Sequence, residues 1–163
     1  MSTLFEINHA GPVFGPAGIA LVVFGTPAPQ GSTKAFIPKG WQRPVITADN
    51  RKTKPWKQQI AGAAAALNQH PFAKDVPLAI TLDFYLAKPA SVTKRRTHPI
   101  VKPDLDKLVR AVFDALTGIM FADDAQVIAL HTRKHYGQPE RVEIQIQEVL
   151  CSLAKSSEVI CNT

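Results

Sequence analysis

Three acidic positions have the residue types and spacing to bind a metal ion. Asp104 and Asp106 lie in the run Lys102-Pro103-Asp104-Leu105-Asp106, and the pair Asp123-Asp124 follows later in the chain. Two residues that are two positions apart inside a helix point about 200° away from each other. If Asp104 is instead the N-cap residue, its backbone is not helical and both carboxylates can lean over the same helix start.

Convergence of Asp104, Asp106 and Asp124, with Asp123 beside them, would create a site for Mg²⁺, with Mn²⁺ as a substitute. Oxygen-only ligands of high negative charge suit Mg²⁺, which keeps several waters and also binds substrate phosphate. Such an ion can polarise a scissile phosphate, lower the pKa of an attacking water and stabilise the leaving oxygen. The chemistry that these residues favour is therefore hydrolysis of a phosphodiester.

Two basic residues accompany the first acidic pair. Arg110 follows Asp106 by four residues, which is one helical turn on the same polar face. Its guanidinium could bind a phosphate or stabilise charge in the transition state. Lys107 lies on the adjoining face, where it could contact a nucleic-acid backbone.

Each of these residues also has a purely structural interpretation. Asp104 could be only a helix cap, and Asp106 only a favourable charge near a helix N-terminus. Asp106 and Arg110 could form a plain i, i+4 ion pair. Asp123-Asp124 could be only a polar turn.

The charge of the chain favours a nucleic-acid partner, although many ordinary proteins are also mildly basic. The net charge is +6 and the sequence pI is near 9.5, and cationic side chains gain affinity by releasing phosphate counterions. Trp41 and Trp56 could stack on bases or simply pack. The candidate DNA contacts are Lys94, Arg95, Arg96, Lys102, Lys107, Arg133 and Lys134, of which the first four belong to a loop over residues 91–102 that could equally be an ordinary solvated segment.

Periodicity predicts the elements that must position these residues. Leu105 to Thr117 carries one apolar stripe at helical spacing and ends at Gly118. Trp56 to Gln69 is alanine-rich and favours a helix, with Pro55 in its first turn. Strands are predicted over residues 19–25, 76–87, 126–135 and 141–149, and a hairpin over residues 35–37 and 44–47.

The order of these elements predicts an α/β (α+β) fold of one small domain. Its mixed sheet would have about four or more strands, with two main helices on one face. The expected organisation is an N-terminal arm over residues 1–18, a domain over residues 19–150 and a tail over residues 151–163.

No apolar run is long enough to span a bilayer, so we expect no membrane partner. The absence of a secretory signal predicts a cytoplasmic location, with Cys151 and Cys161 as free thiols.

The acidic segments resemble the RusA family of Holliday junction resolvases. That family has a Lys-Pro-Asp-x-Asp helix start, an Asp-Ala-Leu-x-Gly helix end and an Asp-Asp-x-Gln-Val lead into a strand. The matching residues here run from Lys102 to Gly118 and from Phe121 to Val127. The opening from Gly25 to Ser32 also looks like first-strand sequences of phage members, so the resemblance covers most of residues 20–149.

The resemblance implies a homodimeric, Mg²⁺-dependent endonuclease that nicks a four-way DNA junction in two strands. Its catalytic carboxylates fall on Asp104, Asp106 and Asp124, and its basic catalytic residue falls on Arg110. The chain departs from the family pattern at Lys107, where Asn is usual, and at Arg110, where Lys is usual. Arg retains phosphate binding but is poorly suited to general-acid chemistry. A phage or prophage origin also follows from the resemblance.

A homodimer suits the substrate, because a C2 dimer presents one active site to each of two opposed strands. Three other functions remain open. The first is a metal nuclease for other branched or single-stranded DNA. The second is a junction-binding protein without catalysis, in which the aspartates are caps and turns. The third is a family member that the Lys107 and Arg110 changes have inactivated.

Overall fold

The computed structural model of this chain describes residues 13–31, 33–37, 39–43, 45–48 and 51–150. The predictions for Cys151, Cys161, the tail over residues 151–163 and the first twelve residues of the arm lie outside this described part. No helix within the described residues is long and apolar enough to cross a membrane.

Alternating apolar residues form the centre of the main sheet. Strand β4, Leu78–Leu86, buries every second side chain, including Ile80, Leu82 and Phe84. This period of two lets one face of the strand enter the core. The neighbouring strands are β1, Val13–Phe24, β5, Val127–Tyr136, and β6, Arg141–Leu150.

The main sheet is mixed and has the strand order β1-β6-β4-β5. β6 runs antiparallel to both of its neighbours, whereas β4 and β5 are parallel. A parallel pair needs a crossover connection, and helix α2, Leu105–Leu116, supplies it. β5 is therefore an edge strand beside α2.

Two helices cover one face of the sheet. Helix α1, Thr53–Ala65, buries Thr53, Trp56, Ile60 and Ala64 along one stripe. The apolar face of α2 joins the same core cluster, which also includes inward residues of β1, β4 and β6. The α/β fold with one mixed sheet and two helices is confirmed.

The strand β1 begins earlier than predicted. Residues 13–18, which were assigned to the arm, belong to β1 and pair with the end of β6. The pairing shifts register between Phe14 and Gly18, and the Gly15-Pro16 interruption lies within that shift. Proline is tolerated on an edge strand at such an irregularity, so a sequence that resembles a loose arm can still be a strand.

The remaining boundaries differ by a few residues. α1 spans Thr53–Ala65 instead of residues 56–69, since the chain turns after Ala66 and Asn68 has a φ of 50°. The predicted hairpin is present as β2, Thr33–Phe36, and β3, Val45–Ala48, which pair as a separate antiparallel sheet. A short 3₁₀ helix, Asp124–Gln126, leads into β5.

Candidate active site

The start of α2 has the backbone that the sequence predicts. Asp104 is the N-cap residue, and its φ of −71° and ψ of 139° are extended. Its side chain makes no capping hydrogen bond; one oxygen lies instead 3.4 Å from Nζ of Lys107. Asp106 is in the first helical turn, where the helix dipole favours a negative charge.

A cleft of about 650 Å³ lies between α2 and β5 and contains three of the predicted residues. Asp106 and Arg110 come from one face of α2, and Asp124 comes from the 3₁₀ helix before β5. The surrounding residues are mainly apolar: Leu105, Val109, Phe113, Leu130 and Thr132. Asp106, Arg110 and Asp124 are themselves exposed, so a ligand can reach their charged groups from solvent. Asp104 is not part of this lining.

No ion pair joins the charged groups that α2 contributes to the cleft. Neither Asp106 nor Arg110 takes part in an ion pair with another described residue. The alternative of a plain Asp106–Arg110 pair is therefore wrong. Asp114, further along α2, is different, because one of its oxygens lies 3.0 Å from Nζ of Lys57 on α1.

The two residues of the pair Asp123-Asp124 have different places: Asp123 caps the turn, and Asp124 lines the cleft. The Asp123 side chain accepts a hydrogen bond of 2.9 Å from the Ala125 amide. Gln126 reaches back to accept from the Ala122 and Asp123 amides, which completes a capping box. The structural interpretation of Asp123 as part of a polar turn agrees with these contacts, and Asp124 is held at the cleft by this turn.

Gln126 is a site-forming residue that the sequence reasoning missed. Its side chain is buried and also donates to the carbonyls of Ala73 and Val76, at 2.8 and 3.1 Å. These bonds tie the Asp124 turn to the segment before β4. The Asp-x-x-Gln spacing of a capping box was the available signal.

The oxygen donors of the cleft fit a hard cation in type, though not as a complete cage. Within the described residues, no three Asp, Glu, His or Cys side chains lie close enough to hold a metal ion together. Asp106 and Asp124 supply two carboxylates, and Thr132 Oγ1 is a buried hydroxyl without a hydrogen-bond partner among the described residues. Mg²⁺ commonly takes one or two carboxylates and fills its other positions with water and substrate phosphate.

A smaller cleft of about 120 Å³ extends the site past Arg110. It is lined by Gln30, Gly31, Asp106, Lys107 and Arg110. The backbone N–H of Gln30 donates to the Lys107 carbonyl at 2.8 Å, which holds the loop after β1 against α2. The sequence analysis included Gln30 only within the opening from Gly25 to Ser32 and did not name it as a site residue.

The predicted contacts Arg133 and Lys134 lie on opposite faces of β5, as neighbouring strand residues must. Lys134 Nζ donates to the carbonyls of Val101 and Pro103, at 3.1 and 2.8 Å. It thereby fastens the segment before α2 to β5. Arg133 is on the outer face, where its guanidinium donates two hydrogen bonds to Asp83.

Asp83 has an altered pKa. Its partial burial raises the pKa, but hydrogen bonds from Arg133 and His135 lower it further than burial raises it, so the pKa lies below its ordinary value. The same contact raises the pKa of Arg133. Arg133 is therefore a partner in an outer-face network, and its role as a DNA contact stays a prediction.

The basic loop, residues 91–102, presents its cations to solvent. Lys94, Arg95, Arg96 and Lys102 are all exposed, as a surface for DNA requires. Trp56 is only 2% exposed and belongs to the core, whereas Trp41 is 64% exposed. Trp56 thus packs in the core, and stacking on bases stays a prediction for Trp41.

Comparison with known proteins agrees with this geometry. Residues 25–147 match the family model of the endodeoxyribonuclease RusA. An uncharacterized protein of Bacillus subtilis, YqaN, is 31% identical over 141 residues, which cover 80% of this chain and 96% of that protein. A crossover junction endodeoxyribonuclease of Lactococcus phage r1t is 33% identical over 81 residues, which cover 48% of this chain and 60% of the phage protein.

The family match spans the sheet strands β4, β5 and most of β6, both helices and every residue that lines the cleft. It thus includes the elements that bring Asp106, Arg110 and Asp124 together. The chain belongs to the RusA family of endodeoxyribonucleases.

Proposed function

We propose that this protein resolves four-way DNA junctions by Mg²⁺-dependent hydrolysis of one phosphodiester in each of two opposed strands, in DNA recombination and repair. Nucleases of this family are metal-dependent. The related phage protein is named a crossover junction endodeoxyribonuclease. The observation that supports the proposal most is the single cleft that Asp106, Arg110 and Asp124 line together.

Each residue of the cleft has a proposed role. Asp106 and Asp124 would hold Mg²⁺, for which Mn²⁺ can substitute. Asp104 lies outside the cleft lining, so its carboxylate would have to leave Lys107 Nζ to join them. When bound, the ion lowers the pKa of a water and stabilises the charge that develops on the phosphate. Arg110 binds and orients the scissile phosphate, because its guanidinium has no acidic partner among the described residues.

Arg110 does not act as a general acid in this proposal. A guanidinium keeps its proton at all physiological pH values, so the leaving oxygen receives its proton from solvent. Asp123 acts through Asp124, since its capping hydrogen bond sets the turn that carries the cleft carboxylate. Asp123 is not proposed as a metal ligand, because its side chain caps the turn and is not part of the cleft lining.

The proposal includes a homodimer, because two opposed strands of one junction need two active sites related by a two-fold axis. Lys94, Arg95, Arg96, Lys102 and Lys107 would contact the phosphate backbone of the arms. Lys134 would serve the same surface indirectly, by holding the loop that carries these cations. A cytoplasmic location, where DNA substrates occur, completes the proposal.

The test compares cleavage of a synthetic four-way junction with that of a linear duplex of the same sequence, each with and without Mg²⁺. The proposal predicts paired, symmetric nicks in the junction only, and only with the metal. Equal cutting of flaps or single strands would instead support a general metal nuclease. Junction binding without any nick would support a non-catalytic protein or an inactivated family member.

A further inference from the structure

The basic loop carries an exposed apolar tip. Ile100 is 75% exposed and Val101 is 48% exposed, and Ile100 is the most exposed large apolar side chain among the described residues. Lone surface apolar residues are common, but this pair belongs to a loop that also exposes Lys94, Arg95, Arg96 and Lys102. An apolar tip on a cationic loop suits a partner with both apolar and negatively charged parts.

The tip is held in a fixed position by its neighbours. Pro99 is buried beside the tip, and the Val101 carbonyl accepts a hydrogen bond of 3.1 Å from Lys134. At the other side of the loop, Lys88 donates to the Lys94 carbonyl at 3.3 Å. Because the loop is already ordered by these contacts, presenting the tip to a partner costs little conformational entropy.

The tip also precedes the proposed active site by only a few residues in the sequence. Val101 is three residues before Asp104 and five before Asp106, and Lys134 fastens the intervening Pro103 to β5. DNA whose scissile phosphate is in the cleft would therefore bring bases near the loop. Proteins that bend DNA often insert Ile, Leu or similar side chains between base steps, while basic residues bind the flanking phosphates.

We propose that Ile100 and Val101 form an apolar wedge that enters the base stack at the branch point of the junction. This inference rests on the proposed function. The bases at a branch point are the easiest to separate, since stacking is already interrupted there, and Lys94, Arg95, Arg96 and Lys102 bind the adjacent phosphates. A second copy of this chain fits the tip less well, because the cations of the two loops would repel each other.

The test uses four-way junctions that carry 2-aminopurine, a base whose fluorescence rises when it unstacks, either at the branch point or in the middle of an arm. Binding is measured without divalent metal, so that no strand is cut. With wild-type protein, we expect a several-fold rise at the branch point and little change in the arm. The double variant Ile100→Ser/Val101→Ser should still bind the junction but lose at least half of the rise.

Two control variants separate the wedge from a general effect of apolar surface. Val22→Ser alters a residue with the same 48% exposure as Val101, but on β1 and pointing away from the helices; it should leave the rise unchanged. Ile100→Leu keeps an apolar tip and should retain it. An equal rise in the double variant, or a loss with Val22→Ser, would overturn the wedge.

Other outcomes distinguish the wedge from the proposed function. If wild-type protein binds and cuts the junction without any rise at the branch point, the wedge is wrong and the function stands. If it neither binds nor cuts the junction, the proposed function itself fails. If the double variant changes the molar mass measured by light scattering, a second copy covers the tip and the wedge is likewise wrong.

Discussion

Arg110 is a charged residue of the cleft that no ion pair ties to the fold, and this makes it the residue whose removal is easiest to interpret. It forms no ion pair with a described residue, so Arg110→Ala should leave the thermal midpoint of unfolding nearly unchanged. We expect junction cutting to slow by on the order of 10²-fold, as is typical for loss of one group that stabilises transition-state charge. Single-turnover kinetics on pre-bound junction measures this directly.

The conservative variant Arg110→Lys is the matched control. It keeps the charge but loses the planar fork that binds two phosphate oxygens, so its rate should lie between those of the wild type and Arg110→Ala. An unchanged rate in Arg110→Ala would remove Arg110 from the site.

Asp83 connects protonation to stability on the outer face of the sheet. The pKa of Asp83 is lowered in the folded protein, because the hydrogen bonds from Arg133 and His135 outweigh partial burial. A lowered pKa stabilises the fold above the carboxyl pKa of the unfolded chain, about 3.9. That stabilisation is lost as the pH falls through the lower pKa of the folded protein.

Asp83→Asn should therefore unfold at a lower urea concentration than the wild type at pH 7, with a narrower difference at pH 3. The exposed residue Asp75 provides the control, since Asp75→Asn should leave the midpoint close to that of the wild type at both pH values. A difference between Asp83→Asn and wild type that is the same at pH 7 and pH 3 would contradict this account.

Prediction at the level of residues succeeded where the local sequence determines the backbone conformation. It failed where residues distant in the sequence determine the contacts of a side chain. The extended N-cap at Asp104 followed from its position before an apolar stripe. Lys134 was predicted only as a DNA contact, yet its ammonium binds two carbonyls of a segment that is far away in sequence. No local pattern contains that information.

The element that presents Asp124 is a short 3₁₀ turn, which depends on Gln126 for its position. Substituting Gln126→Leu would leave the amides of Ala122 and Asp123 and two carbonyls without their partners. These four hydrogen bonds are part-buried, and losing them together with a buried amide is costly, so we expect a loss of about 2 kcal/mol in the free energy of unfolding. Urea denaturation measures it, and cutting should also slow because Asp124 moves.

Gln145 supplies the matched control, because it is also a glutamine in this fold but is exposed on β6. Gln145→Leu should change the free energy of unfolding by less than about 0.5 kcal/mol. Equal effects of the two substitutions would show that the network around Gln126 does not stabilise the turn.

At the scale of elements, strong periodicity predicted the bounds of α2 and β4 closely, whereas the bounds of β1 depend on its pairing with another strand. The apolar stripe of α2 and the alternation of β4 are local signals. The first residues of β1 are strand because β6 lies beside them, and that partner is more than a hundred residues away. The cleft itself arises from the β4-α2-β5 crossover. The sequence predicts the order of these elements, but it does not predict the geometry of the cleft between α2 and β5.

The whole molecule carries a net charge of +6, and the proposed DNA surface uses part of it. Each phosphate contact contributes about 0.9 to the slope of log K against log salt concentration. Replacing Lys94, Arg95 and Arg96 together with alanine should therefore reduce that slope by about 2 to 3 for junction binding. Fluorescence anisotropy over a range of salt concentrations measures the slope.

A second triple variant tests whether the basic loop is special. Lys39, Arg43 and Lys74 are also exposed, and their replacement removes the same total charge elsewhere. This control should change the slope by less than about 1, which corresponds to a single phosphate contact. Equal reductions in both triple variants would mean that net charge, rather than the loop, governs binding.

The central claim is that the cleft between α2 and β5 is the nuclease site, and two variants of the same helix test it most directly. Asp106→Asn removes a cleft carboxylate, whereas Asp114→Asn removes one that pairs with Lys57 outside the cleft. Nicking of a four-way junction in Mg²⁺ should be lost in Asp106→Asn, with junction binding and thermal midpoint retained, and should persist in Asp114→Asn. Wild-type nicking by Asp106→Asn would contradict the account.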